Sequence, residues 1–171
     1  QGDKTLVKLE EPAALAPDPA DAGKNLINNF TMAGWARPQA GIALPREADE
    51  GVLINLERND AVVAVHGQSA FSDPNHSGAG LSVGTNGIAV YEHSGNYFAP
   101  LLVHQTPVAD WTHIAVVYRE GRPQLYLNGQ PVHSGMKSRY QVHSSLSIGD
   151  GPSTAFRGEL AGFQEFGSAL P

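Results

Sequence analysis

Apolar and polar positions alternate with a period of two along much of the chain. The clearest run is Trp111-Thr112-His113-Ile114-Ala115-Val116-Val117-Tyr118. It reads as a half-buried strand, because successive side chains on a strand point to opposite faces. A second strand, Leu125-Tyr126-Leu127, ends in Asn128-Gly129. The charged tip from Arg119 to Pro123 joins the two, which predicts one antiparallel hairpin. Asn128 and Gly129 suit the turn because both reach the left-handed backbone region at low cost.

The same pattern predicts further strands at residues 5–9 and 30–38. In the second, Phe30, Met32 and Gly34 share one face, and Thr31, Ala33 and Trp35 the other. Residues 12–21 read as a proline-broken surface loop. Residues 40–44 predict a short strand and 45–51 a charged turn. Residues 52–57 and 61–65 predict a hairpin around Asn59-Asp60, and 81–84 with 87–92 another around Thr85-Asn86-Gly87. Residues 67–80 read as a long polar loop, 93–100 as an exposed loop, and 135–141 as a basic, aromatic-bearing loop. Short strands are expected at 101–104, 131–133 and 146–149. A closing strand at 156–166 is interrupted by Gly158 and Gly162. About a dozen short strands, with turn signals at roughly 8–12-residue spacing, argue an all-β, two-sheet antiparallel sandwich.

Composition fits one such domain. The chain has 171 residues, 41% of them apolar, with 19 glycines and 12 prolines for its turns. The net charge of −6 opposes nucleic acid and anionic lipid as partners. Cysteine is absent, which excludes disulfides, thiol redox chemistry and thiolate zinc sites. No apolar run approaches the ~20 residues of a membrane span, so no membrane insertion is expected. Gln1 reads as a processed terminus or a domain boundary, and the stop at Pro171 suggests a piece of a longer chain.

The ordered set Phe30 to Pro38, Trp111 to Tyr118, Leu125 to Gly129, Leu146 to Gly149 and Phe156 to Phe163 resembles the laminin-G-like, concanavalin A-like jelly-roll domains. The likeness is to the type appended to bacterial carbohydrate-active enzymes, and it covers roughly residues 25–166. It departs from the family after the central glycine of the last strand, where only Glu165 of the usual acidic residues is kept. The resemblance implies a curved pair of sheets, a secreted, periplasmic or cell-surface location, and glycan or protein binding at the rim or across the concave face. Many members hold one calcium ion, so the resemblance also allows one Ca2+ as a cofactor here. Asp18, Asp21, Asp73 and Asp150 are the oxygen ligands available for it, although no EF-hand-like run is present. The histidines show no zinc spacing.

Sugar recognition needs planar donors and acceptors beside an aromatic face. Three loop clusters supply them: His66, Asp73, Asn75 and His76; Glu92, His93, Asn96 and Tyr97; and Arg139, Tyr140 and His143. Tyr97, Phe98 and Tyr140 are the expected stacking platforms. Trp35 and Trp111 are expected in the core, since each lies in an alternating strand, and His113 is expected to be structural. Concanavalin A-like glucanases carry an E-x-D-x-E pattern on one strand, and this sequence has none. Glu57 with Asp60, and Glu159 with Glu165, do not share a strand face at the short gap that acid/base work needs. Nucleophile-elbow, P-loop and dinucleotide signatures are missing too, and Gly78-Ala79-Gly80 reads as turn material. The expectation is a non-catalytic, lectin-like accessory module of a glycan-degrading enzyme. The alternative is a brace that contacts a neighbouring domain and has no ligand. Rim aromatics in the open would favour the first, and an exposed apolar patch with those aromatics buried the second.

Overall fold

The computed structural model of the chain describes residues 27–51, 60–63, 75–95, 97–144 and 156–171. One sheet holds β1 (Phe30–Pro38), β6 (Thr112–Arg119), β7 (Arg122–Leu127), β8 (Gln130–Ser134) and β10 (Gly158–Phe166), in the order β10-β1-β6-β7-β8. The other holds β2 (Ala61–Val63), β3 (His76–Gly84), β4 (Gly87–Ser94) and β5 (Tyr97–Gln105) in that order, with β9 (Gln141–Ser144) beside β3. All described pairs are antiparallel except β3 with β9. The all-β, two-sheet sandwich expected from the alternation is thus the fold. No helix among the described residues is long and apolar enough to cross a membrane.

The inward phase of each strand builds the core. Phe30, Met32, Ile114, Val116, Tyr118 and Leu125 of the first sheet meet Leu81, Val83, Ile88, Val90 and Leu102 of the second. Phe30 stacks on Tyr118 with ring centroids 4.4 Å apart. Each such apolar side chain contributes about 1.5–3 kcal/mol through removal from water. The expected central hairpin is present, with Glu120 and Gly121 at its tip and both at positive φ. Asn128 (φ 49°) and Gly129 (φ 79°) make the next turn, as their chemistry predicts.

Where β1 meets β10 the register slips. Ala33 faces Gln164, but Trp35 faces Ala161. Gly162, at φ 58°, carries the bulge, and Phe163 turns into the core. Gly34 permits this approach: a Cβ there would sit 2.5 Å from the Phe163 Cα. The bulge leaves small Ala161 on the outer face opposite Trp35.

Several expectations need correction. Residues 76–80 belong to β3 rather than to a polar loop, so Gly78-Ala79-Gly80 is strand. Gly78 and Gly80, which carry no side chain, sit opposite His93 and Tyr91 in the ladder. Residues 93–100 are mostly the ends of a hairpin that turns at Gly95. Residues 40–44 form no strand. They lie against the second sheet, where Ile42 and Leu44 pack on Ala89 and Tyr91. Asn86 holds this segment by accepting from the Ile42 N–H at 2.8 Å and donating to its carbonyl at 2.9 Å. Further along, the Ala48 N–H donates to the Pro100 carbonyl, and Gly51 accepts from the Phe98 N–H. The β5 edge is thereby covered, which prevents it from recruiting another strand. The strands expected at residues 5–9, 52–57 and 146–149 lie outside the described residues.

Candidate functional site

The outer face of the first sheet can be built row by row from its register. In one row Glu159 of β10 faces Arg37 of β1. In the next, Ala161, Trp35 and His113 stand side by side. In the third, Gln164, Ala33, Ala115, Tyr126 and Pro131 cross all five strands. Trp35 therefore has alanines at three of its neighbouring positions and His113 beside it, and it is 45% exposed. Trp111, just before β6, is 37% exposed. The core positions expected for both are thus corrected, and the strand phase gives the reason. Trp35 alternates with Phe30 and Met32, and Trp111 alternates with Ile114, Val116 and Tyr118, so the inward positions are already taken. The phase, rather than the apolar character of the indole, is the signal that locates these residues.

Neighbours fix both rings. His113 meets Trp35 edge-on, with centroids 5.2 Å apart. The Arg37 guanidinium lies 5.5 Å from the Trp111 ring centroid, a cation–π contact. Glu159 Oε2 accepts from both Nε and Nη2 of Arg37. The Asp110 carboxylate accepts the backbone N–H of Trp111 at 2.7 Å, and its carbonyl accepts the Thr112 hydroxyl at 3.0 Å. His113 is structural through its backbone, which exchanges hydrogen bonds with Asn128. The surface combines open aromatic area with a pre-oriented donor and acceptor pair.

The loop residues singled out in the sequence are partly brought together. Tyr97 and Tyr140 meet, with ring centroids 4.6 Å apart. Tyr97 is only 6% exposed, so its ring is not the open platform expected of it. Burial pushes its hydroxyl well above the usual phenol range, and that hydroxyl has no hydrogen-bond partner among the described residues. Tyr140 is half-buried against the same cluster. Phe98 is half-buried between Tyr91 and His93. Arg139 is exposed but pairs with Asp49 and Glu50, and the Asp49 carboxylate raises its pKa. His76 and His143 meet with nitrogens 3.0 Å apart, and burial with the His76 charge lowers the His143 pKa. Burial also lowers that of His93. Asn96 and Asp73 lie outside the described residues, as do Asp18, Asp21 and Asp150. Among the described residues no group of three or more His, Asp or Glu side chains can hold a metal ion.

Two features depart from the sequence reading. The first is Glu92, expected in an exposed loop cluster, which lies instead inside β4. Glu92 is fully buried between the sheets, where Tyr118 Oη donates to it at 3.0 Å, Ser77 Oγ at 3.2 Å and Ser138 Oγ at 2.5 Å. No cation among the described residues pairs with it, so desolvation outweighs these donors and pushes its pKa up to about 7. Separately, an open recess is lined by Leu44, Arg46, Glu47, Val103, Gln105 and Met136. There Glu47 accepts from the Val103 N–H and contacts His133 Nε2, tying residues 44–47 to both sheets.

Comparison with known proteins gives a family. The family model of the concanavalin A-like lectin/glucanases superfamily, in its laminin-G-like form, matches residues 16–171. No curated protein matches. Among solved structures, the chain is similar to domain 4 of AbnA, a GH43 extracellular arabinanase from Geobacillus stearothermophilus, in complex with arabinotriose. The identity is 16% and the TM-score 0.49, over 85% of this chain and 63% of that one. This chain thus spans under two thirds of that relative's length. With the family model covering nearly all of its length, this chain belongs to the concanavalin A-like lectin/glucanases superfamily.

Proposed function

We propose that this domain is a non-catalytic accessory module that binds carbohydrate within a secreted or cell-surface glycan-degrading enzyme. The observation that carries the reading is the outer face of the first sheet. There two indoles are open to solvent beside a paired arginine and glutamate. Aromatic faces suit the C–H faces of sugar rings, and planar charged groups suit their hydroxyls. The family holds both lectins and glucanases, and the sequence lacks the E-x-D-x-E carboxylates of the latter. The test is isothermal titration with a panel of soluble plant and microbial polysaccharides. Saturable binding to at least one supports the reading. A flat response across the panel rejects it.

A second reading has its own support. Tyr97 is buried, and the exposed large apolar residues among those described are Trp35, Trp111 and Val132. That is the pattern of a brace contacting a neighbouring domain. The first reading is favoured because the two indoles stand beside an ion pair rather than in a continuous apolar patch. A brace predicts that the parent enzyme loses thermal stability, not glycan affinity, when Trp35 and Trp111 are replaced.

A further inference from the structure

Resting on the carbohydrate reading, we propose that Trp35, Trp111, Arg37 and Glu159 form one subsite, and that its ligand is an uncharged glycan chain. The argument for the position is steric. Trp35 lies between Ala33 and Arg37 on its own strand, with His113 edge-on against it on one side, Ala161 across the ladder on the other and Ala115 diagonal to it. Neighbouring strands lie ~4.8 Å apart, so any larger side chain at the alanine positions would reach the indole. With alanines there, part of the indole stays accessible. Trp111 stands beyond Thr112, which faces Ala36, so it lies one strand over and close to Arg37. The two indoles and the ion pair therefore occupy adjacent rows of one surface.

The argument for an uncharged ligand is electrostatic. Arg37 and Glu159 neutralise each other, so the subsite offers no net charge to a uronate or sulfate. The chain as a whole carries −6 and repels polyanions. Hydrogen-bonding capacity nevertheless remains in the pair. Glu159 Oε2 takes both contacts from Arg37, and neither Arg37 Nη1 nor Glu159 Oε1 has a partner among the described residues. The outer edge of the guanidinium and the second carboxylate oxygen thus keep a donor and an acceptor for the hydroxyls of a neutral sugar. The ion pair also holds the guanidinium against Trp111 and so fixes that ring's orientation.

The test is titration of the 171-residue chain with soluble arabinan, mixed-linkage β-glucan, galactomannan and polygalacturonate. The expected result is binding to at least one neutral polymer and none to polygalacturonate. Trp35→Ala and Trp111→Ala each raise Kd about tenfold or more, and Glu159→Gln raises it severalfold. Trp35→Phe, which keeps an aromatic face, restores part of the loss. All four variants melt cooperatively near the parent temperature, since each changed side chain is exposed. Neutral binding unchanged in Trp35→Ala and Trp111→Ala overturns the subsite and leaves the carbohydrate reading standing. A preference for polygalacturonate overturns the ligand class. Failure to bind any of the four polymers counts against this ligand class, and the wider panel then decides the carbohydrate reading itself.

Discussion

Glu92 is a carboxyl group that this fold holds best when protonated. Its pKa stands at about 7 against an ordinary 4.5, because burial penalises the charge more than Ser138, Tyr118 and Ser77 relieve it. A raised carboxylate pKa means the folded state binds the proton more tightly than the unfolded chain. The stabilising effect is complete below pH 4.5 and is lost as pH rises through 7. At about 1.4 kcal/mol per unit, the full swing is roughly 3 kcal/mol. His93, His104 and His143 have lowered pKa values and act with the opposite sign, adding stability as pH rises towards 6.5. Comparing the parent with Glu92→Gln cancels them, since the variant keeps all three. Glutamine retains an acceptor for Tyr118 and cannot ionise. Urea unfolding followed by far-UV circular dichroism, from about pH 4 to about pH 8.5, gives both stabilities. The variant should gain on the parent by about 3 kcal/mol between roughly pH 4.5 and 7, and the gap should be flat above. Parallel curves, or a parent that gains on the variant as pH rises, would refute the reasoning.

Other substitutions probe the packing. Tyr97→Phe removes a buried hydroxyl that lacks a partner among the described residues, so chemical denaturation should show it neutral or about 1 kcal/mol more stable. Gly34→Ala forces a methyl onto the Phe163 backbone, and the melt should report a loss of about 2 kcal/mol or more. Asp60 is buried and receives both the Nε and Nη2 donors of Arg157. Asp60→Ala removes the acceptor of the Arg157 side chain and backbone N–H, and because Arg157 itself is exposed the cost should be about 1–2 kcal/mol in urea titration.

Much of the fold is legible in the sequence because alternation reports faces directly. The hairpin around Glu120 and Gly121, the Asn128-Gly129 turn and the phase of Phe30, Met32, Ile114 and Val116 all follow from local chemistry. Residues 76–80 are not legible as strand, because Ser77, Gly78 and Gly80 have weak strand propensity and are held by non-local pairing with β4 and β9. The segment at 40–51 is half legible: its charges suggest a turn, but the hydrogen bonds to Asn86, Pro100 and Phe98 are non-local. The site is hidden for a different reason. Gly95 and Asn96 signal a turn that draws Tyr97 into a loop, yet the tyrosine falls inside the strand that follows. Size alone places Trp35 and Trp111 inward, against a phase that points both outward. Glu92 is invisible as a buried acid, because its donors come from residues 15 to 46 positions away.

The chain contains only two tryptophans, and both lie on the proposed binding face. Indole fluorescence therefore reports that surface and nothing else. Titration with a neutral polysaccharide that binds should shift the emission saturably and shield both indoles from acrylamide quenching. Binding seen by calorimetry, with emission and quenching unchanged, would place the ligand elsewhere and contradict the account.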